Sequence, residues 1–177
     1  MGGARLSDEV RQAAPASPTP RPRDHAGVLA FPPLLFAGPW AAGWLLGRVL
    51  GLRPLAPPAH ASATRTAGWA LVALGLALGA WAVRTLVAHR TAVDPYRPTT
   101  ALVTAGPFAR SRNPIYVAQA LVHLGAALAA NALGPLLLLP IAVVLVRDGV
   151  VRREERYLAG KFAGAYRAYC RRVRRWL

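Results

Sequence analysis

The chain has 177 residues, 54% of them hydrophobic, only seven acids, and a formal net charge of +15. Long uncharged runs leave too little soluble surface for a basic nucleic-acid-binding protein; flanked by arginine clusters, they predict an all-α polytopic membrane protein with basic cytoplasmic ends and no nucleic-acid partner. Cys170 is the single cysteine, which excludes an intramolecular disulfide and a thiolate metal cluster; it reads as a small apolar helix residue, and no metal ligand set is predicted.

Residues 1–25 are rich in proline and small polar residues and carry four arginines. They predict a disordered cytoplasmic tail and lack the apolar core of a signal peptide. A membrane domain is expected over 26–177. Its first span, about 28–50, contains Pro32, Pro33 and Pro39, which predict a late start or a kink. A Pro-containing loop leads to a second span, about 66–89, with Trp69 and Trp81 as interface anchors and Arg84 snorkelling or facing inward. Residues 90–112 are rich in Pro, Thr and Gly and predict mostly loop.

Asn113–Val146 is uncharged for 34 residues. As one helix that is about 50 Å, too long for one crossing of a ~30 Å hydrocarbon core. The stretch "NALGP", Asn131–Pro135, predicts a tight turn and hence a hairpin of two short spans, 114–131 and 134–150. Beyond it, Val151, Glu154, Leu158, Phe162, Tyr166, Tyr169, Val173 and Trp176 recur at helical spacing opposite a mostly arginine face. This predicts a basic amphipathic helix at the membrane surface, bent near Gly160 and Gly164. The hairpin turn has no Lys or Arg while the flanking segments have many, so both termini are expected in the cytoplasm, in a bacterial cytoplasmic membrane.

Between spans two and three lies "GPFARSRNPIY", Gly106–Tyr116. Asn113 is a suitable N-cap and Pro114 a suitable first helical residue. A capped helix start with Arg110 and Arg112 beside it is a seat for an anion. Glu154 is a carboxylate on the apolar stripe, with Arg147 seven residues earlier on the same face. An acid there needs a partner or a ligand. A structural pair with Arg147, or pairing of Glu154 and Glu155 with Arg110 or Arg112, accounts for it equally well.

Leu102, Val103, Gly106, Pro107, Phe108, Arg112, Asn113, Pro114 and Tyr116, followed after the hairpin by Glu154, Glu155, Leu158, Phe162, Tyr166 and Tyr169, form an ordered pattern over about the last 80 residues. It resembles the isoprenylcysteine carboxyl methyltransferases and the related phospholipid methyltransferases. One departure is Ala163 between Phe162 and Gly164. The resemblance implies S-adenosylmethionine as methyl donor, held by Thr100, Ala101, Leu102, Val103, Phe108, Arg112, Asn113, Pro114, Ile115, Tyr116 and Glu154. Glu155 and Arg147 are candidates for orienting the acceptor. Eukaryotic members of the family have His where Thr100 and Asn113 stand, so imidazole chemistry is absent at those two positions. The acceptor implied is a lipophilic small molecule or lipid, such as a carboxylate or thiol, reached from the bilayer at the cytoplasmic face. Two other readings remain: a non-catalytic membrane protein whose basic helix binds anionic lipid or a partner, and a nicotinamide-dependent membrane reductase.

Overall fold

Proline and asparagine set the helix boundaries in the computed structural model, which describes residues 25–28 and 30–177. The expected disordered tail lies, apart from His25, outside the described residues. Helix α1 is Pro32–Val49, beginning on the Pro32–Pro33 pair and carrying Pro39 inside it. A 3-10 turn, Pro58–His60, feeds helix α2, Ala61–Ala88. After the 89–113 loop come α3, Pro114–Ala129, and α4, Leu133–Val146. A π turn, Arg147–Val151, carries α4 without a break into α5, Arg152–Arg172. The described residues contain no strand. Helices thus occupy all four segments expected to span.

Among the described residues, two continuous helices are long and apolar enough to cross a bilayer, Pro58–Ala88 and Leu133–Arg172. The outer face of α2 exposes Trp69, Leu74, Leu76 and Trp81, as a lipid-facing helix would. In a bilayer, burial of apolar side chains would give little drive, and helix association would rest on close backbone approach. Helix α2 packs chiefly on α3, and α1 on α4. A Cβ at Gly68 would lie 2.6 Å from the Gly125 carbonyl oxygen, and one at Gly43 2.6 Å from that of Gly134. Either would collide with backbone that cannot turn aside.

The hairpin is tighter than "NALGP" suggests. Asn131 alone makes the left-handed turn, φ 49°, and its amide clasps Ala56, accepting from the backbone N–H at 2.8 Å and donating to the carbonyl at 3.0 Å. Gly134 and Pro135 already belong to α4, where Gly134 serves close packing rather than the turn. His123 of α3 sits between the other two helices of the core, Nδ1 3.2 Å from Phe36 O and Nε2 2.9 Å from Pro135 O.

Part of the apolar face of the last helix is packed within the protein: Tyr166, Tyr169 and Val173 bury with Leu102 and Leu158. The bend falls on Ala163, between the two glycines thought to cause it, with φ 40° and ψ −110°. That conformation strains any residue with a Cβ.

Gly68→Ala should lower unfolding stability in detergent by about 1–3 kcal/mol, whereas Gly38→Ala, with nothing within 4 Å of the new methyl, should not lower it. Ala163→Gly should raise stability by about 1 kcal/mol by relieving the bend. Thermal unfolding of the three variants checks both.

Candidate functional site

The arginine-bearing knot is held by several polar contacts with the last helix and the chain beyond it. Gly106–Ala109 is a 3-10 turn with Pro107 in its first positions. The Tyr169 hydroxyl, pushed up to about 12 by burial and so always protonated in the physiological range, donates to Phe108 O at 2.7 Å. Arg112 N donates to Arg174 O at 3.0 Å. The final residues therefore run back across the start of α3.

Asn113 does not cap α3 with its side chain. Its Nδ2 donates to Arg175 O at 2.9 Å, and its own N–H donates to Ser111 Oγ at 3.1 Å. The returning C-terminal carbonyl offers a partner that the isolated motif could not show.

Glu155 is the centre of an ion cluster. Arg175 donates to it through Nε and Nη2 at 3.0 and 2.7 Å, and Arg112 Nη1 lies 3.1 Å from Oε1. The Arg112 and Glu155 side chains are each 15% exposed, so water screens them weakly. Arg112 Nη1 also reaches Cys170 Sγ at 2.8 Å, while its Nε is buried with no partner.

Glu154, one position earlier, points elsewhere. It accepts from the Tyr116 hydroxyl at 2.8 Å, and among the described residues no arginine or lysine pairs with it. It is half-buried and lines the cleft, so the exposure it keeps is toward the cleft. Burial pushes its carboxyl up to about 7; the Tyr116 hydrogen bond opposes that shift and the Glu155 charge adds to it. The native state therefore holds a proton between the usual 4.5 and about 7 that the unfolded chain has lost. The stability this contributes is complete below the lower value and is lost as pH rises through the upper one.

The cleft is bounded by the 91–103 loop, Phe108, the start of α3 and one side of α5 as far as Tyr169. Its cavity volume is about 130 Å³, in a wider space of about 900 Å³ that opens to solvent. That cavity volume is smaller than the roughly 300 Å³ at which small-molecule sites begin, so a nucleotide-sized ligand would extend into the open mouth. Ala101, Leu102, Val103, Phe108, Arg112, Asn113, Pro114, Ile115, Tyr116 and Glu154 all line it, as does Glu155. Asn113 and Glu154, 41 positions apart in the sequence, share one wall.

Two expected site residues fall outside. Thr100 is exposed, and its hydroxyl donates to Arg90 O at 2.7 Å; the loop turns it away from the cleft. Arg147 pairs with Asp148, Nη2 to Oδ2 at 2.9 Å, because the π turn changes its phase relative to Glu154. Glu155 lines the cleft, with both oxygens engaged by arginines.

Other wall residues were not anticipated: Thr91–Pro95, Thr99 and Tyr157. The available signal was Asp94, the only acid between Asp24 and Asp148. Its Oδ1 accepts from Tyr96 N at 2.9 Å, shaping the rim. Among the described residues no group of three or more His, Cys, Asp or Glu is placed to hold a metal ion.

The sequence model of the phospholipid methyltransferases matches residues 63–165, more than half of the chain. The cobalt-zinc-cadmium resistance protein CzcN of Cupriavidus metallidurans is 36% identical over 77 residues, 44% of this chain and 35% of that protein. By that match the chain spans about a third of the relative's length. No solved structure matches.

Glu155→Gln should lower stability by about 2 kcal/mol, less than the roughly 3–5 kcal/mol of a fully buried broken pair. A double-mutant cycle with Arg175→Met should show coupling, measured by chemical unfolding; additive effects would exclude the cluster as a unit.

Proposed function

The chain belongs to the phospholipid methyltransferase family, and from that premise we propose that it transfers a methyl group from S-adenosylmethionine to a lipophilic acceptor at the cytoplasmic face of a membrane. The apolar helices and the family together support a membrane methyltransferase. In this reading α1 to α4 each cross the bilayer, and the cleft opens where α3 begins.

The residues of the cleft fit the donor's parts. Glu154 is an unpaired carboxylate for the ammonium. Arg112 Nε is a buried donor without a partner, suited to the carboxylate. Phe108, Tyr166 and Tyr169 supply aromatic surface for the adenine. The sulfonium donor, when bound, supplies the activated methyl. What the chain supplies is alignment and dryness: α5 covers one side, the 91–95 loop the rim, and the C-terminal return closes the α3 start. A carboxylate acceptor needs no base, whereas a thiol or amine must give up a proton.

The observation that carries this reading is the Glu154 carboxylate, held by Tyr116 at 2.8 Å on the same wall as the α3 start and free of any cationic side chain among the described residues. A structural acid would have been paired, as Glu155 is.

Donor binding to detergent-solubilised protein, followed by calorimetry, tests it. Glu154 must be ionised to hold the ammonium, so affinity should fall about tenfold from pH 7.5 to pH 6, following the ionised fraction of a carboxyl titrating near 7. Glu154→Gln should bind at least about tenfold more weakly at pH 7.5 and lose most of that pH dependence. Absence of donor binding by the native sequence, or binding of a nicotinamide dinucleotide in its place, would overturn the proposal.

A further inference from the structure

How much of a nucleotide-sized ligand can settle inside the small cleft depends on which wall yields. The walls differ in how firmly they are held. Helices α3 and α5 carry their own backbone ladders. In the 91–103 loop, Thr100 N donates to Thr91 Oγ1 at 3.0 Å, and Thr99 N donates to the Tyr157 hydroxyl of α5 at 3.1 Å. Phe108 is held through its carbonyl by Tyr169.

The remaining wall is the short segment before α1, where Ala26 lines the cleft. Among the described residues, His25–Val28 makes no backbone–backbone hydrogen bond. Gly27 N donates to His25 Nδ1 within the segment. The one polar tie to the rest of the described protein is Arg153 Nη1, which donates to Gly27 O at 3.3 Å. Val28, only 7% exposed, adds an apolar anchor in the cluster that also contains Tyr116, Val146 and Val150. Gly27 sits at φ 59°, which glycine adopts without strain. Both anchors therefore neighbour the Tyr116–Glu154 pair: Arg153 precedes Glu154 in the chain, and Val28 shares the Tyr116 cluster. A segment with so few bonds is the part of a fold that opens at least cost.

We infer that His25–Val28 is a strap that closes the empty cleft beside the Tyr116–Glu154 pair and is displaced when the donor enters, with the Arg153 tie and the Val28 anchor setting the threshold for entry. The inference rests on the methyl-transfer reading for the identity of the ligand. It adds an autoinhibitory contact built from the chain before the first helix.

The test uses the full chain in nanodiscs with S-adenosylmethionine as probe. Two substitutions loosen the strap by unrelated routes. Arg153→Met removes the tie and keeps an apolar stem. Gly27→Ala acts through the backbone alone, because its Cβ meets nothing within 4 Å and only the positive φ is disfavoured. Each should raise the donor association rate about fivefold, the net worth of one hydrogen bond, and leave dissociation unchanged. A reporter thiol is placed by Val28→Cys with Cys170→Ser, and its alkylation by N-ethylmaleimide is followed by mass. Alkylation should be slow in the empty protein, faster with donor, and faster without donor once Arg153→Met is added. Slower alkylation with donor would show a strap that shuts over its ligand and would overturn the inference. So would association rates unchanged in both loosened variants. Absence of donor binding by the native protein and both variants alike sinks the methyl-transfer reading and the threshold with it, whereas donor binding with either of the other two failures sinks the strap alone.

Discussion

The Arg112–Glu155–Arg175 cluster is the constraint on which the site depends. Its three members come from the loop before α3, the first turn of α5 and the chain end. Successive residues on a helix point about 100° apart, so locking Glu155 toward its arginines fixes where Glu154 looks. The same cluster pulls the C-terminal segment back over the α3 start, where backbone carbonyls of residues 174 and 175 take up the N–H of Arg112 and the amide of Asn113. An ion pair of this kind contributes little net stability against an apolar replacement. Its value here is positional: it decides that one acid is neutralised and the other is left facing the cleft.

That arrangement needs a scaffold that does not shift. The helices approach at backbone contact through Gly68–Gly125 and Gly43–Gly134, and His123 and Asn131 tie the remaining elements with polar bonds where little else is polar. The fully buried Val146, Val150 and Val151 sit where α4 turns into the acid-bearing helix. The base of the site is therefore apolar and closely packed, while its rim, from Thr91 to Pro95, is loop. A closely packed floor beneath a loop rim borders a cleft whose cavity volume is smaller than a nucleotide.

Much of this was legible from residue patterns. The helical hairpin followed from an uncharged run too long for one crossing, and the stripe through Leu158, Tyr166 and Tyr169 identified the buried face of α5. Most of the residues inferred from the motif do share one wall. What was not legible depends on contacts distant in sequence. Asn113 looks like a cap until the carbonyl of Arg175 arrives. Thr100 looks like a wall residue until the loop spends its hydroxyl on Arg90. Arg147 looks to be in phase with Glu154 if the helix is assumed regular. The pairing of α1 with α4 is hidden in glycines, which mark close approach without saying to what. The 91–95 rim is irregular, and only the isolation of Asp94 set it apart.

The five-residue π turn, Arg147–Val151, has a consequence of its own. It winds one more residue into the chain than a regular helix would use there, so a regular turn one residue shorter would carry α5 on in the same phase. A residue lost from the regular turn that follows, at Arg152 or Arg153, would instead index α5 by a single step. Glu155 would rotate to face Tyr116, and Arg156 would swing into the company of Arg112 and Arg175. The cleft would still contain an acid, yet three guanidiniums would crowd where a carboxylate had joined two of them. The doubled glutamate therefore offers no tolerance to slippage, and the widened turn is the one place nearby where the chain can shorten without moving either acid.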